Sequence, residues 1–377
     1  MRRIKVNDAN TRQLTLLKLA PPPRAQHLSR RRMDSRRSSP VPARVLPHWI
    51  RRQERLRADA ESYYAMRIRT FDTRDIPEIV SFWNRSFSHE RLFVPLTEET
   101  FRTRVLGRAA FRPEGLRIAR ISGDIVAIGH GARKGDEGFL SLLHVAPESR
   151  GRGIGARLLD EVSEWLGGVS RIRAGAVIFD PIYGVDFDDR RKWGGPRRPF
   201  WGSSEGLSAR AGDLDTRNFM VKRGFVPEDA DYSMLVTGLR GRAEDTFNRR
   251  ERFTVARRAY EIRVVDNSSV RQKSYQHEVP HRVVQLWSGG HALGECMWCA
   301  FDDDLATIYD FYLAPEGRGL GMGRAVLLRA LADIKDAGLD ACDLTTGSRR
   351  NARAVKVYRM AGFRIAEVWQ PYVREVK

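Results

Sequence analysis

A glycine-rich stretch occurs twice in this chain, first as Pro147-Glu148-Ser149-Arg150-Gly151-Arg152-Gly153-Ile154-Gly155 and again as Pro315-Glu316-Gly317-Arg318-Gly319-Leu320-Gly321-Met322-Gly323. Each copy follows an apolar run that predicts a strand, Phe139–Val145 in the first and Ala306–Leu313 in the second. Each copy leads into apolar residues at helical spacing. The repeat therefore predicts two strand–turn–helix units, each with the same Arg-x-x-Gly-x-Gly spacing.

Such a turn is suited to binding an anion. Glycine lets the backbone turn tightly and approach a ligand closely. The helix that follows offers N–H groups without intrahelical acceptors and the positive end of its dipole. A strand-to-helix turn with no ligand is the alternative, but two copies with one spacing favour a phosphate or pyrophosphate site in each half.

The turn, between a strand and a helix, resembles the acetyl-CoA loop of the GNAT superfamily of N-acyltransferases. The second half adds Asn351-Ala352-Arg353-Ala354-Val355-Lys356-Val357-Tyr358 and then Gly362-Phe363, which matches the Asn-x-x-Ala-x-x-x-Tyr-x-x-x-Gly-Phe pattern of that family. The resemblance covers about residues 66–377 and implies two tandem GNAT-like domains, an arrangement similar to that of mycothiol synthase. The implied fold class is α/β (α+β), with a mixed, mostly antiparallel sheet flanked by helices in each domain.

The resemblance also implies acetyl-CoA as co-substrate and no metal. The residues it assigns to cofactor binding are Val145, Arg150, Gly151, Gly153, Ile154, Gly155 and Ala156 in the first half, and Leu313, Arg318, Gly319, Gly321, Met322, Gly323, Arg324 and Asn351 in the second.

The chain has 377 residues and a formal net charge of +19. Residues 1–65 contain 16 Lys/Arg and 5 Asp/Glu, so this segment alone carries +11. Its Arg-, Pro- and Ser-rich composition is typical of a disordered basic arm. We expect at most a weak contact of this arm with polyanions, and a solvated tail is the favoured interpretation.

Three cysteines cannot all form disulfides, which favours a reducing cytoplasm. The apolar runs are too short to span a bilayer, so no membrane segment is expected. Cys296 and Cys299 flank two residues of an apolar run, and strand alternation directs their thiols to opposite faces. We therefore expect neither a metal nor a redox site there.

We expect the first domain at residues 66–237, a linker at 238–252 and the second domain at 253–377. Tyr232–Thr237 is predicted to close the first sheet, and Phe363–Val373 is predicted to be one final strand. The first half has about thirty extra residues within 180–210, whose aromatic side chains favour an ordered role as a lid, an acceptor wall or packing between the halves. The aromatic residues of this insertion are Tyr183, Phe187, Trp193, Phe200 and Trp201.

In the GNAT-like fold that the resemblance implies, two helices after the first strand help to form the wall of the acceptor site. The first half has room for them, with predicted helices over 72–87 and 98–105. The second half has only about sixteen residues at the same place, Asp266–His281. The second domain must therefore borrow a wall, leave the acceptor site open, or use the segment Arg242–Arg258.

The two halves differ at the position of the general acid. Counted back from the Gly-Phe dipeptide, this position is Tyr358 in the second half and Met220 in the first. A phenol can protonate a leaving thiolate, whereas a thioether has no proton to donate. The position of the family asparagine is Asn351 in the second half and Asp213 in the first. The second half therefore keeps both residue types.

Attack by an amine on a thioester also needs a base, because a lysine-like amine with a pKa near ~10.4 requires about 4–5 kcal/mol to expose its lone pair at pH 7. On the strand before the loop, Asp310 of the second half aligns with Leu142 of the first. We expect Asp310 to be the base, with Glu295 and Glu278 as alternatives. The oxyanion needs a backbone N–H at a distortion of this strand.

The sequence thus predicts a cytoplasmic N-acetyltransferase that transfers an acetyl group from acetyl-CoA to a small-molecule or peptide amine. The second domain is expected to be catalytic and the first to be degenerate or regulatory. One alternative is a non-catalytic acyl-CoA-binding regulatory protein, and another is catalysis by the first domain. A tRNA-dependent aminoacyl transferase is disfavoured, because such enzymes do not need a pyrophosphate loop and this chain has two. The acceptor and the oligomeric state are left open.

Overall fold

Strands from the two halves of the chain build two β-sheets. The computed structural model describes residues 66–89, 93, 95–175, 180–184, 209–242, 255–266, 281–300 and 304–376. The predicted basic arm (1–65), Glu278, residues 185–208 of the insertion and residues 243–252 of the linker lie outside the described residues. The fold class is confirmed, because each sheet is mixed, mostly antiparallel and flanked by helices.

The first sheet has seven strands in the order β1-β2-β3-β4-β5-β15-β7. Its strands are β1 (Arg67–Thr70), β2 (Leu116–Ile121), β3 (Asp124–Lys134), β4 (Glu137–Val145), β5 (Arg171–Ala174), β7 (Val226–Pro227) and β15 (Tyr372–Glu375). β4 and β5 run parallel, and every other neighbouring pair is antiparallel.

The second sheet has eight strands in the order β6-β14-β8-β13-β12-β11-β10-β9. Its strands are β6 (Ala209–Arg210), β8 (Asp231–Val236), β9 (Glu261–Asp266), β10 (His281–Ser288), β11 (His291–Ala300), β12 (Leu305–Leu313), β13 (Ala341–Gly347) and β14 (Arg364–Gln370). Here β12 and β13 form the parallel pair.

Helices cover both faces of the first sheet. They are α1 (Ile76–Phe87), α2 (Glu98–Phe101), α3 (Ile154–Trp165) and α4 (Leu214–Lys222), and the second half adds α5 (Met322–Asp336) and α6 (Ala352–Met360). The apolar sides of α1 and α2 pack on one face of the first sheet, which we call the α1–α2 face. The apolar sides of α3 and α4 pack on the opposite, α3–α4 face. In the second sheet α5 and α6 share one core and define the α5–α6 face.

The two halves exchange their closing strands. β15, from the end of the chain, lies in the first sheet between β5 and β7, with Tyr372 opposite both Ala174 and Pro227. β8, from the first half, lies in the second sheet between β13 and β14, with Met234 opposite both Leu344 and Ile365. Each sheet is therefore complete only with a strand from the other half.

Two sequence-based assignments are corrected by this exchange. Tyr232–Thr237 does not close the first sheet, since β8 pairs only in the second. Phe363–Val373 is not one strand, because β14 ends at Gln370 and β15 begins at Tyr372 in the other sheet. Pro371 separates them and, lacking an N–H group, cannot continue a ladder. The remaining predicted strands and helices of the described residues lie within a few residues of the expected bounds.

No helix in the described part of the chain is long and apolar enough to cross a bilayer. All three cysteines are buried and none forms a disulfide. Among the described residues, no cluster of three His, Cys, Asp or Glu side chains is arranged to hold a metal ion.

The strand exchange predicts that the first sheet depends on the end of the chain. A chain that stops after Gln370 loses β15 and with it the Tyr372 side chain, which is 1% exposed. Loss of a large buried aromatic residue costs about 3–5 kcal/mol. We expect backbone amides of β5, and the amide of Val226 in β7, to lose protection in hydrogen exchange. A chain that stops after Glu375 keeps the strand and is the control; equal protection in both chains would contradict the exchange.

Candidate active site

The two glycine turns have the same backbone conformation. Gly151 and Gly153 have φ values of 79° and 77°, and Gly319 and Gly321 have φ values of 75° and 83°. These values lie in the left-handed region, which glycine adopts without the steric cost paid by other residues. The repeat in the sequence is therefore a repeat in the structure.

The loop arginines hold each turn against the strand before it. Arg150 donates from Nε to the carbonyl oxygen of Val145 at 3.0 Å. Arg318 donates from Nε to the carbonyl oxygen of Leu313 at 2.7 Å. Sequence analysis assigned these arginines only to the cofactor; the structure adds that each closes its own loop.

Helices α3 and α5 begin directly at these turns. The first backbone bonds inside them are accepted by the carbonyl oxygens of Gly153 and Gly321, at 3.1 and 3.2 Å. The N–H groups of residues 154–156 and 322–324 precede these bonds at the positive end of the helix dipole. Backbone donors beside an arginine are the chemistry that a diphosphate requires, so both turns fit the pyrophosphate of acetyl-CoA.

The third glycine of each turn allows the helix to approach the strand closely. A Cβ atom on Gly323 would lie 3.1 Å from Cδ1 of Leu313, and one on Gly155 would lie 3.4 Å from Cγ2 of Val145. The structure thus brings the predicted cofactor residues of each half together around its turn. That they bind the cofactor stays a prediction.

A gap between parallel strands opens beside the second turn. In the second sheet β12 and β13 continue to Leu313 and Gly347, yet their pairing ends at Ile308 and Leu344. In the first sheet the pairing of β4 with β5 ends at Leu140 and Ala174, where β5 itself ends. An extended chain such as the pantetheine arm could reach the centre of the sheet through such a gap.

The strand before the second turn is distorted at the level of this gap. In β12, Ile308 pairs with Trp298 and Asp310 pairs with Met297, so Tyr309 is the extra residue of a β-bulge. A bulge turns backbone groups out of the regular ladder. The distortion that the sequence analysis expects for the oxyanion site is therefore present.

The first sheet has an equivalent bulge in β4, the strand before its own turn. In β4, Leu140 pairs with Gly131 and Leu142 pairs with His130, which leaves Ser141 as the extra residue. The two strands are thus equivalent in geometry, and the halves differ in side chains.

Tyr358 and Asp310 lie on opposite faces of the second sheet. Tyr358 is 6% exposed and packs on the α5–α6 face, with its ring 6.1 Å from that of Phe311 between centroids. Ile308 and Phe311 belong to that same core, so strand alternation directs Asp310 to the other face. A phenol and a carboxylate therefore lie on opposite faces of the sheet near this gap.

The loop before α6 is held by a carboxylate of the first half. Asp229 accepts hydrogen bonds from the backbone N–H groups of Arg349 and Arg350, both at 3.0 Å. Asn351, the first residue of the family motif, therefore need not cap the helix. Its Nδ2 atom lies 3.3 Å from Oγ1 of Thr346.

The corresponding helix of the first half caps itself. Asp213 accepts a hydrogen bond from the backbone N–H of Thr216 at 3.0 Å. Met220, at the position of the general acid, is buried with 4% exposure in the core of the α3–α4 face. The side chains of α4 therefore supply no phenol to the first turn, as the sequence predicts.

The α1–α2 face of the first sheet is filled by the chain itself. Asp180 accepts the N–H groups of Ile182 and Tyr183 at 2.8 and 2.7 Å, and this turn directs Tyr183 inward. The hydroxyl of Tyr183 lies 2.9 Å from Nδ1 of His130, which is fully buried opposite the bulge. Burial of Tyr183 is confirmed, whereas its contact with His130 was not predicted, because the two residues are 53 positions apart in the chain.

Burial keeps both histidines of this face neutral. It lowers the pKa of His130 from 6.5 to about 3. Burial, with smaller contributions from the charges of Arg150 and His89, lowers the pKa of His144 to about 4. The His144 ring packs 4.5 Å from that of Phe87 between centroids.

This packing predicts a pH dependence of stability. Because the folded pKa of His144 lies below its unfolded value of 6.5, the unfolded chain takes up a proton that the folded chain refuses, and stability falls as pH drops from about 6.5 to about 4. His144→Phe should remove up to about 2 kcal/mol of the loss between pH 7 and pH 5. Urea unfolding at both pH values measures it. His291→Gln, at an exposed position, is the control and should keep the wild-type dependence; a wild-type dependence in His144→Phe would show that the ring is not buried.

Comparison with known proteins finds a family model that matches in both halves of the chain. The model of the acetyltransferase (GNAT) family matches residues 70–178 and 248–363. A mycothiol acetyltransferase of Cellulomonas flavigena is 38% identical over 78 residues, 21% of this chain and 22% of that protein. One of Thermobispora bispora is 35% identical over 77 residues, 20% and 24% of the two chains. The chain thus covers about a quarter or less of the length of these relatives.

Solved structures resemble a larger part of the chain. A tandem GNAT protein from the clavulanic acid biosynthesis pathway aligns with 82% of this chain and 98% of its own, with a TM-score of 0.55 and 13% identity. A GCN5-related N-acetyltransferase from Sphaerobacter thermophilus aligns with 82% and 96%, with a TM-score of 0.54 and 14% identity. At these identities the likeness concerns the fold.

Proposed function

This chain belongs to the GNAT family of acetyltransferases, and on that premise we propose that it transfers an acetyl group from acetyl-CoA to an amine, with the second domain as the catalytic one. The observation that carries the proposal is a combination present in the second half: a glycine turn, a β-bulge beside the gap, and a buried phenol at Tyr358. The short matches to mycothiol acetyltransferases support acetyl transfer and leave the acceptor as a small-molecule or peptide amine. The odd number of cysteines favours the cytoplasm.

The arrangement assigns a role to each group of the second site. Acetyl-CoA supplies a thioester whose carbonyl carbon accepts the amine nitrogen. A backbone N–H at the bulge around Tyr309 donates to the carbonyl oxygen as negative charge develops there. Tyr358 donates its proton to the departing sulfur on the α5–α6 face.

Asp310 is the proposed base, because it lies beside the bulge on the face opposite Tyr358. It takes the proton of the attacking amine, directly or through a water molecule, and so supplies the free amine that is scarce at pH 7. Glu295 is the alternative; its Oε2 accepts a hydrogen bond of 3.5 Å from Nε2 of Gln285.

We propose that the first domain binds acetyl-CoA without turnover. Its turn and its bulge match those of the second domain, but α4 carries Met220 at the acid position. The face on which an acceptor would approach is occupied by the contact between Tyr183 and His130. Two alternatives remain. The presence of two equivalent turns is also consistent with a non-catalytic acyl-CoA-binding protein. The bulge at Ser141 is the feature that supports catalysis by the first domain.

Replacement of the proposed acid tests the assignment of the domains. Tyr358→Phe removes the proton donor and keeps the ring, so we expect release of free thiol from acetyl-CoA to slow by about 10²-fold or more. The comparison variant is Gly153→Glu, which places a side chain and a negative charge in the first turn. Normal turnover in Tyr358→Phe together with lost activity in Gly153→Glu would move catalysis to the first domain.

Replacement of the two carboxylates tests the base. Asp310→Asn should lower kcat by about 10²-fold or more and remove the acid limb of the pH–rate profile, because the amide cannot accept the proton. Glu295→Gln, on the neighbouring strand, is the matched control. If the acid limb disappears in Glu295→Gln instead, Glu295 is the base.

A further inference from the structure

Tyr372 is a buried tyrosine whose hydroxyl makes no hydrogen bond with any residue that the structure describes. The residue is 1% exposed and belongs to the core of the α3–α4 face. The hydroxyl oxygen itself is buried, and no donor or acceptor of the described residues lies within hydrogen-bond distance of it. A buried hydroxyl without a partner destabilises a fold, so packing alone would favour phenylalanine here. A contact with a bound ligand would account for this hydroxyl.

The register places Tyr372 at the level of the first bulge. Tyr372 lies opposite Ala174 in β5, and Ala174 lies opposite Leu140 in β4. Leu140 is the residue before the bulge at Ser141. Tyr372 thus lies on the exchanged strand at the level where the pairing of β4 with β5 ends.

The equivalent position in the second sheet is Met234. It lies opposite Leu344 in β13, and Leu344 lies opposite Ile308 in β12. Ile308 is the residue before the bulge at Tyr309. The two exchanged strands therefore meet their host sheets in the same register.

Phenol and thioether have changed places between the two sites. The helix position holds Met220 in the first site and Tyr358 in the second. The exchanged-strand position holds Tyr372 in the first site and Met234 in the second. All four side chains are buried, and in each site the two pack into one core. The first site therefore has a phenol, delivered by the other half of the chain.

Tyr372 shares the core of the α3–α4 face with Met220 of α4, and charges at the start of that helix act on it. Burial raises the pKa of Tyr372, the charge of Arg217 lowers it and that of Asp213 raises it, so both residues of the first helical turn act on this phenol. Asp213 in turn is within electrostatic range of Arg150, the loop arginine.

We propose that Tyr372 completes the first acyl-CoA site, where its hydroxyl hydrogen-bonds the sulfur end of the bound thioester. This inference rests on the proposed binding of acetyl-CoA by the first turn. Because Tyr183 and His130 close the acceptor face, the phenol holds the thioester in place. The strand exchange then makes the last residues of the chain part of the cofactor site of the first domain.

The test uses the full chain with Gly321→Glu, so that only the first turn is intact. Titration calorimetry with acetyl-CoA measures the first site, and 3′-phospho-ADP, which lacks the pantetheine arm, measures the nucleotide contacts alone. Tyr372→Phe should raise the Kd for acetyl-CoA about three- to tenfold, the loss of one hydrogen bond, and leave the Kd for 3′-phospho-ADP unchanged. Its melting temperature should equal or exceed that of the parent, because an unsatisfied hydroxyl is removed.

Two further variants sharpen the result. Tyr372→Met copies the residue at position 234 and should weaken acetyl-CoA binding in the same way, which keeps the test valid if the Phe variant misfolds. Tyr358→Phe in the same background should leave the first site unaffected. An unchanged Kd for acetyl-CoA in Tyr372→Phe, or an equal loss for both ligands, overturns the inference. Failure of the Gly321→Glu parent to bind acetyl-CoA overturns it together with the proposed function of the first turn.

Discussion

The architecture depends on a backbone constraint that occurs twice: two glycines at positive φ, separated by one residue, between a strand and a helix. This conformation lets the chain reverse within a few residues and begin the helix with its N–H groups at the turn. The arginine that bonds back to the strand fixes the turn. In the second half the gap, the bulge and the phenol all lie beside this turn. The position of the turn therefore sets the position of the site.

The parts that sequence analysis predicted are those encoded locally. The glycine spacing, the helical pattern of Ala352–Met360 and the position of Tyr358 all lie within short stretches whose conformation depends on neighbouring residues. The closing strands were assigned to the wrong sheets because alternation shows that Asp231–Val236 is a strand and does not show which sheet it joins. Pro371 was the available signal that the last strand is interrupted.

The same reasoning explains why the sequence suggested that the first half lacks a phenol. An alignment of the two halves compares Met220 with Tyr358, because both lie on the helix before Gly-Phe. It gives no information about a phenol that comes from a different element. Tyr372 comes from another element and another half, and only the register of the exchanged strand brings it to the first site. The contact of His130 with Tyr183 was missed for a similar reason, because it joins a strand to a segment that follows the next parallel strand.

The exchange of closing strands also affects biosynthesis. A ribosome releases the chain from its N-terminus, and domains usually fold in that order. Here the strand that separates β5 from β7 is made of residues 372–375, so the first sheet cannot close until these residues have been synthesised. The second sheet receives β8 long before its own strands emerge. Neither half contains all the strands of its own sheet. A gene split at the linker would therefore yield two incomplete fragments that must associate to complete both sheets.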